Sequence, residues 1–377
     1  MGRTGIAVLC CLFLTATLPQ SAAAFSLGGF DIKVAPNPKG IGISDIDCDR
    51  ANSCVAVGDG PNRQIGSLKL GPEGWSTHLT KGDGNLTSLF GISCLTSDDC
   101  LAVGSSAALT PCTTDCPKDE FTVAASRWNG AGWTALAMPS QPANWKQPFL
   151  FDVSCVQSNF CFAVGGVFGR KSMGTLIMRW DGSSWTVQKA PLGLGNKAGS
   201  IASLNSVSCV SRSLCFAAGI RDEWTMIQKW DGSKWSLERI ERARGFLAQK
   251  IECPGPKACF VTGAIGRAGK GPGSALVNQW NGESWSLRRT PVLKNRVVSL
   301  SDVSCVSARA CIAVGTAESR TIVSDRGRIR PVVESWNGKR WKVHLTKGPF
   351  LQNISCAAPR NCVVTRKRGG SYLRSTS

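Results

Sequence analysis

The stretch that decides the fold is residues 204–237, LNSVSC-VSRSL-CFAAG-IRDEWT-MIQKW-DG-SKWSL. An apolar run ends on Cys209, and a second run begins at Cys215 after five intervening residues. A third run ends on Trp230, Asp231-Gly232 follows, and a fourth run carries Trp235 and Leu237. Adjacent Asp-Gly between two strand-like runs predicts a tight hairpin with a loop of two or four residues, the two-residue form being a type I′ turn with positive φ at both central residues. The unit is therefore four short antiparallel strands, A to D. In strand D, Trp235 and Leu237 share one face and Ser236 and Glu238 the other, as a half-buried outer strand requires.

Working outward, cysteine pairs six apart recur seven times: Cys48 with Cys54, Cys94 with Cys100, Cys155 with Cys161, Cys209 with Cys215, Cys253 with Cys259, Cys305 with Cys311 and Cys356 with Cys362. Each sits in a frame like V-S-C-x5-C-x-A-V-G. Successive first cysteines are 46, 61, 54, 44, 52 and 51 residues apart, a propeller-blade period. Paired tryptophans flank an Asn-Gly or Asp-Gly: Trp128 with Trp133, Trp180 with Trp185, Trp230 with Trp235, Trp280 with Trp285 and Trp336 with Trp341. Leu70 and Trp75 form a worn copy. The seventh copy is N-terminal, where Phe25 and Phe30 keep the spacing and Pro36 matches Pro191 and Pro291. The reading is an all-β, seven-bladed propeller of four-stranded antiparallel blades. The last blade takes strands A, B and C from the C-terminus and strand D, Phe30–Val34, from the N-terminus, which closes the ring. The small Ala-Val-Gly runs of strand B suit a crowded inner blade.

These repeats resemble the tandem β-propeller repeats of secreted bacterial proteins and, distantly, the Asp-box repeats of sialidase-like propellers. An Asp-box, however, places one residue between its Asp and Gly, whereas Asp181 and Gly182 are adjacent. The resemblance implies the fold and carries over no catalytic residue.

Residues 1–24 read as a signal peptide: Arg3, a short apolar run and Ala22-Ala23-Ala24. Residues 25–377 then form one exported domain, secreted, extracellular or in the cell envelope, expected to be monomeric and without a transmembrane segment. Cys10 and Cys11 fall in the leader, which leaves sixteen of eighteen cysteines. An even number in an exported chain predicts disulfides within each pair, plus Cys112–Cys116 in a long second-blade loop. No metal site and no cofactor is expected, since histidines do not accompany the cysteines.

The net charge is +19 and falls to +18 without Arg3. Such an excess points to anionic partners: acidic polysaccharide, wall polymer, acidic protein or nucleic acid. A–B and C–D turns lie on one uniform rim, B–C loops and D–A links on the other, variable one. The variable rim carries the candidate binding residues Arg170, Lys171, Arg221, Arg267, Arg326, Arg328, Arg330, Arg366, Lys367 and Arg368. Eleven of the thirteen tryptophans occupy repeat positions and read as core. Trp145 and Trp224 lie off the pattern and are the better candidates for stacking on a ligand. His78 and His344 fall on the polar face of strand D, as exposed outer-strand residues. No Ser/His/Asp arrangement, no paired carboxylates at matching blade positions and no tyrosine nucleophile is apparent, Tyr372 being terminal. The function expected is a non-catalytic binding propeller. A glycoside hydrolase or lyase on the same rim is the alternative, and a structural or adhesive surface protein is a third. Asn85 and Asn353 match the glycosylation sequon, by chance unless the host is eukaryotic.

Overall fold

The computed structural model describes residues 24–27, 30–36, 38, 40–50, 52–81, 86–108, 120–169, 172–193, 199–240, 245–265, 275–319, 329–346, 350–359 and 361–366. They form seven four-stranded sheets in a ring. Apart from a 3-10 turn at Pro61–Arg63, the described elements are all strands. No helix among them is long and apolar enough to cross a membrane. Residues 1–23 of the leader and the Cys112–Cys116 pair, predicted as an eighth disulfide, lie outside the described residues.

Blade 3 shows the pattern: Gln147–Gln157 innermost, then Phe160–Phe168, Met173–Trp180 and Trp185–Val187. Its cysteines face each other directly, Cys155 opposite Cys161, with Cα atoms 4.1 Å apart. That spacing allows the bridge that the five-residue turn predicted. All seven repeat pairs are disulfides. In blades 1 to 3 these are Cys48–Cys54, Cys94–Cys100 and Cys155–Cys161. In blades 4 to 7 they are Cys209–Cys215, Cys253–Cys259, Cys305–Cys311 and Cys356–Cys362. The second cysteine of each pair is the deeper one. Cys54, Cys100, Cys161, Cys215, Cys259, Cys311 and Cys362 open strand B and are at most 2% exposed. They therefore contribute to the packed core as well as clamping the turn.

The first tryptophan of each hairpin closes the same turn from the other side. Trp128, Trp180, Trp230, Trp280 and Trp336 donate their indole N–H to the carbonyls of Ser97, Ser158, Arg212, Pro256 and Ala308, at 2.9 to 3.1 Å. Each acceptor stands three residues after the first cysteine. The tryptophan pairs are buried and face one another, as Trp180 and Trp185 do at a ring separation of 5.5 Å.

The hairpin turn is the four-residue form and not type I′, with the Asp181 N–H donating to the Ser184 carbonyl. Only Gly182 takes positive φ, 104°. Asp181 acts through its side chain, accepting from the N–H groups of Ser183 and Ser184 at 2.8 Å. Those donors hold its carboxyl well below the ordinary range. Asn129, Asp231, Asn281 and Asn337 repeat the device.

The Ala-Val-Gly motif has a sharper reason than crowding. Every inner strand bulges just before its cysteine frame, as between Leu150 and Asp152 in blade 3. The bulge drives a carbonyl toward strand B. A Cβ on Gly165 would sit 1.8 Å from the Phe149 oxygen, and one on Gly104 would sit 1.8 Å from the Ser88 oxygen. Blade 7 has Arg366 at this position, and there the ladder skips from Ile354 to Leu351.

Ring closure uses the N-terminal chain, but not as strand D. Phe30–Val34 pairs directly with Asn361–Arg366, in parallel, in the place of strand C. Ala24–Leu27 folds back outside it as the fourth strand. The link into blade 1 fixes the direction of Phe30–Val34 as that of a strand D. With that direction it lies against strand B, hence the parallel pairing. Residues 371–377, expected as strand C, lie outside the described residues. The packing expectation holds: Phe30, Ile32 and Val34 are buried against Val314, Val333 and Val364.

Strand D is less covered than its alternation suggested. Leu237 is 46% exposed and Val187 46% exposed, because these outer strands end at that residue. The histidines are half-buried rather than exposed. His78 packs edge-on against Trp128, with ring centroids 5.1 Å apart, and burial lowers the pKa of both histidines.

Candidate functional site

Two places gather chemistry-bearing side chains. The first is the axial channel, about 250 Å3, lined by the inner strands of all seven blades. The residue three before the first cysteine is Asp45, Asp152 or Asp302 in blades 1, 3 and 6, and Lys250 in blade 5. The residue just before the cysteine adds Asp47 and Glu252. Matching carboxylates therefore do exist, contrary to the expectation from the sequence.

Their geometry shows what they do. An inner strand leaves main-chain N–H groups on its free edge, and a buried N–H needs an acceptor. Asp45 accepts from Ile46 and, across the blade boundary, from Ile92 at 3.2 Å. Asp152 does the same with Val153 and Val207, and Asp302 with Val303 and Ile354. One step along, Ser93, Ser154, Ser208, Ser304 and Ser355 accept from the first-cysteine N–H of the next blade, at 2.9 to 3.1 Å. Asp47 serves Cys94 in the same way at 2.8 Å. The three aspartates thus join blades 1 to 2, 3 to 4 and 6 to 7, and the second set spans six of the seven blade boundaries, blade 7 to blade 1 included.

Lys250 stands among these acids, 3.3 Å from Asp152 and 3.7 Å from Asp45. The surrounding carboxylates raise its pKa against the opposing effect of burial. Burial pushes Asp45 up to about 7, Asp302 to about 6 and Glu252 to about 8, and raises Asp47. No group of three or more acids, histidines or cysteines placed to hold a metal ion occurs among the described residues.

The second place is a groove of about 550 Å3 on the variable rim of blade 4. It opens where the outer strand Trp235–Leu237 ends while its neighbour Trp224–Trp230 continues. The last described bond between them runs from the Glu238 N–H to the Ile227 carbonyl, 2.9 Å. Beyond it the chain diverges toward Ile240. Arg221 and Arg239, both exposed, line the gap together with Trp224, Leu237 and Ile240. Asp222 also lines it, but one carboxylate oxygen accepts from the Ile201 N–H at 3.0 Å.

Of the binding residues expected from the sequence, Arg221 falls in this groove and Trp224 beside it. Arg330 is half-buried on blade 6 and Arg366 half-buried on blade 7, so the described cations are spread over three blades. Arg170, Lys171, Arg267, Arg326, Arg328, Lys367 and Arg368 lie outside the described residues. Trp145 is half-buried and packs against the core between blades 2 and 3. Sequence reasoning missed the channel acids, Lys250 and Arg239. Aligning the seven cysteine frames would have placed Asp45, Asp152 and Asp302 in one column.

Comparison with known proteins returns a likeness in structure alone. No protein-family profile matches the chain, and no curated protein does. A structure described as YCF48 bound to D1 peptide superposes with a TM-score of 0.55 at 12% identity, over 94% of this chain and 97% of that one. YCF48 from Cyanidioschyzon merolae gives 0.54 at 15%, over 87% and 94%. A GH74 enzyme from Niastella koreensis gives 0.54 at 12%, over 88% of this chain and 52% of the enzyme. What is shared is the propeller. At such identities the likeness extends to fold and not to activity, and these neighbours include both a peptide-binding protein and an enzyme.

Proposed function

We propose that the protein is a secreted, non-catalytic binding propeller whose variable rim takes up an anionic partner. The observation that carries this reading is the blade 4 groove, where Arg221 and Arg239 flank apolar side chains. An amphipathic cleft with cations at its edge suits a partner bearing carboxylates or sulfates on an extended backbone. The net charge of +19 adds long-range attraction. Seven disulfides fit an oxidising compartment. The peptide-bound YCF48 structure supports the choice of a macromolecular partner.

Three of the five channel acids are poorly placed for hydrolysis. A glycoside hydrolase needs one carboxyl free to give a proton and another free to attack or activate water. Asp45, Asp152 and Asp302 each spend both carboxylate oxygens on main-chain N–H groups.

The test is retention on a heparin column across a salt gradient. The double variant Arg221→Ser with Arg239→Ser is compared with a control, Arg288→Glu with Arg289→Glu, on the exposed outer strand of blade 5. The groove variant should elute at lower salt than the parent, and the control should lose less despite its larger charge change. Losses that follow net charge alone would remove the groove's special standing.

A further inference from the structure

The phenylalanines divide into two groups. Phe30, Phe160, Phe162, Phe216, Phe246 and Phe260 belong to the core and are at most 4% exposed. Phe90, Phe121, Phe149 and Phe151 are only half-buried, Phe168 is 39% exposed, and these five gather in one place. The Phe149 ring lies 5.9 Å from Phe121, 6.3 Å from Phe168 and 6.0 Å from Phe151, centre to centre. Phe151 in turn lies 6.2 Å from Phe90.

Their places in the blades put this strip on the variable rim. Phe149 stands near the start of the inner strand of blade 3, Phe168 ends the second strand, and Phe121 is near the start of the third strand of blade 2. Phe90 and Phe151 extend the strip onto the inner strands. Each is the unpaired residue of its strand's bulge, and a bulge re-aims a side chain. In blades 4 and 6 the bulge residue is polar and bonds to the next blade: Asn205 to the Ala248 carbonyl at 2.7 Å, Ser301 to the Gln352 carbonyl at 2.8 Å. In blades 2 and 3 two aromatic rings replace that bond. A contiguous accessible aromatic patch is the mark of an interaction site.

The strip runs into the blade 4 groove. Phe168 pairs with Met173, and Met173 bridges to Ile201, which is 49% exposed. Ile201 exchanges two bonds with Asp222, accepting from its N–H at 2.7 Å and donating to its carboxylate at 3.0 Å. Asp222 lines the groove beside Arg221. One surface therefore carries aromatic rings at blades 2 and 3 and cations at blade 4.

We propose that this surface binds a segment of a partner polypeptide, with its aromatic or aliphatic side chains on the phenylalanine strip and its carboxylates at Arg221 and Arg239. The inference rests on the binding function proposed above and names the partner's class. A sulfated polysaccharide is charged along its whole length and would bring hydrated anions onto Phe149, Phe168 and Ile201, whereas a polypeptide carries apolar and acidic side chains in separate places. Adjacent sheets pack about 10 Å apart, so the surface from blade 2 to blade 4 is about 20 Å long, or about six extended residues.

The experiment uses the full chain and an acetylated, amidated dodecapeptide with three phenylalanines in one half and three glutamates in the other, made in both orders. Binding is read by isothermal titration at low salt. One order should bind, and replacing its phenylalanines by serine should weaken binding at least tenfold. The double variant Phe168→Ser with Ile201→Ser, both exposed positions, should lose at least tenfold for the phenylalanine peptide and bind the serine peptide as the parent does. Arg221→Ser with Arg239→Ser should weaken both peptides while keeping the preference for phenylalanine. The comparison of the two peptides needs no protein variant, so a variant that fails to fold leaves the proposal open to refutation. No binding of either order, equal binding of the phenylalanine and serine peptides, or a Phe168/Ile201 loss equal for both would overturn it. A fall in heparin retention on changing Phe168 and Ile201 would assign the strip to polysaccharide and overturn the choice of polypeptide. If the peptides fail while heparin retention still depends on Arg221 and Arg239, the anionic-partner reading stands and the polypeptide assignment alone falls.

Discussion

Replacing Glu334 by glutamine should flatten the pH dependence of stability. Glu334 is fully buried on the third strand of blade 6, two residues before Trp336. The Thr290 hydroxyl donates to one carboxylate oxygen at 3.0 Å, and the other oxygen has no partner. Burial, only partly offset by that bond, pushes its pKa to about 8 from 4.5. Between those values the unfolded chain has lost a proton that the folded protein keeps. The folded state then binds more protons, so stability falls as pH rises. The loss is about 1.4 kcal/mol per unit. It starts near pH 4.5, reaches about 3 kcal/mol at pH 7 and levels at about 5 kcal/mol above pH 8. Glu334→Gln keeps the shape and removes the ionisation. Urea unfolding with disulfides intact, followed by tryptophan fluorescence from pH 4.5 to 9, gives the difference. The variant should gain about 3 kcal/mol on the parent between pH 4.5 and pH 7, whatever constant offset the amide introduces. A residual slope belongs to Asp45, Asp302 and Glu252, whose raised pKa values act with the same sign. A difference that does not change with pH would show that Glu334 titrates as in water, and would refute the reasoning.

Ile32→Ala removes a fully buried side chain at the ring closure, and thermal unfolding should show a loss of about 2–5 kcal/mol. A loss below about 0.5 kcal/mol, the range of surface substitutions, would mean that the N-terminal strand does not close the ring. Gly165→Ala places a Cβ 1.8 Å from a main-chain oxygen, whereas at Gly71 nothing lies within 4 Å. The first should fail to yield folded protein, and the second should change the melting temperature little. Lys250→Met leaves Asp45 and Asp152 without their cation; removing one member of a buried ion pair costs about 3–5 kcal/mol. The loss should be larger at pH 8 than at pH 5, where Asp45 is protonated, and equal losses would show that Lys250 does not pair with ionised acids.

The fold was legible because each repeat marker has a local job. The cysteines clamp the A–B turn, the first tryptophan bonds to that turn, and the Asn or Asp organises the next one. The glycine of Ala-Val-Gly was visible, but its cause, a bulge in the facing strand, was not. The bulge shifts the alternation at a polar residue, Asp152 in blade 3, which reads in the sequence as the end of one apolar run and the start of another. Blade 7 was misread in detail because strand spacing gives no direction; the link into blade 1 sets it. The channel acids looked like single polar residues on ordinary strands, and their role lies across blade boundaries that no single repeat contains. Arg221 was found from its loop position. Arg239 was not, because the early end of the blade 4 outer strand, which exposes it, has no sequence marker.

The binding proposed above places the partner on the variable rim, at blade 4 within it. Hydrogen exchange across the whole chain, with and without heparin at a concentration that saturates retention, tests it most directly. Protection should concentrate at residues 221–227 and 237–240, with the cysteine turns and the Asn-Gly and Asp-Gly hairpins of the opposite rim unchanged. Protection centred on those turns, or spread evenly over the outer strands, would contradict the account.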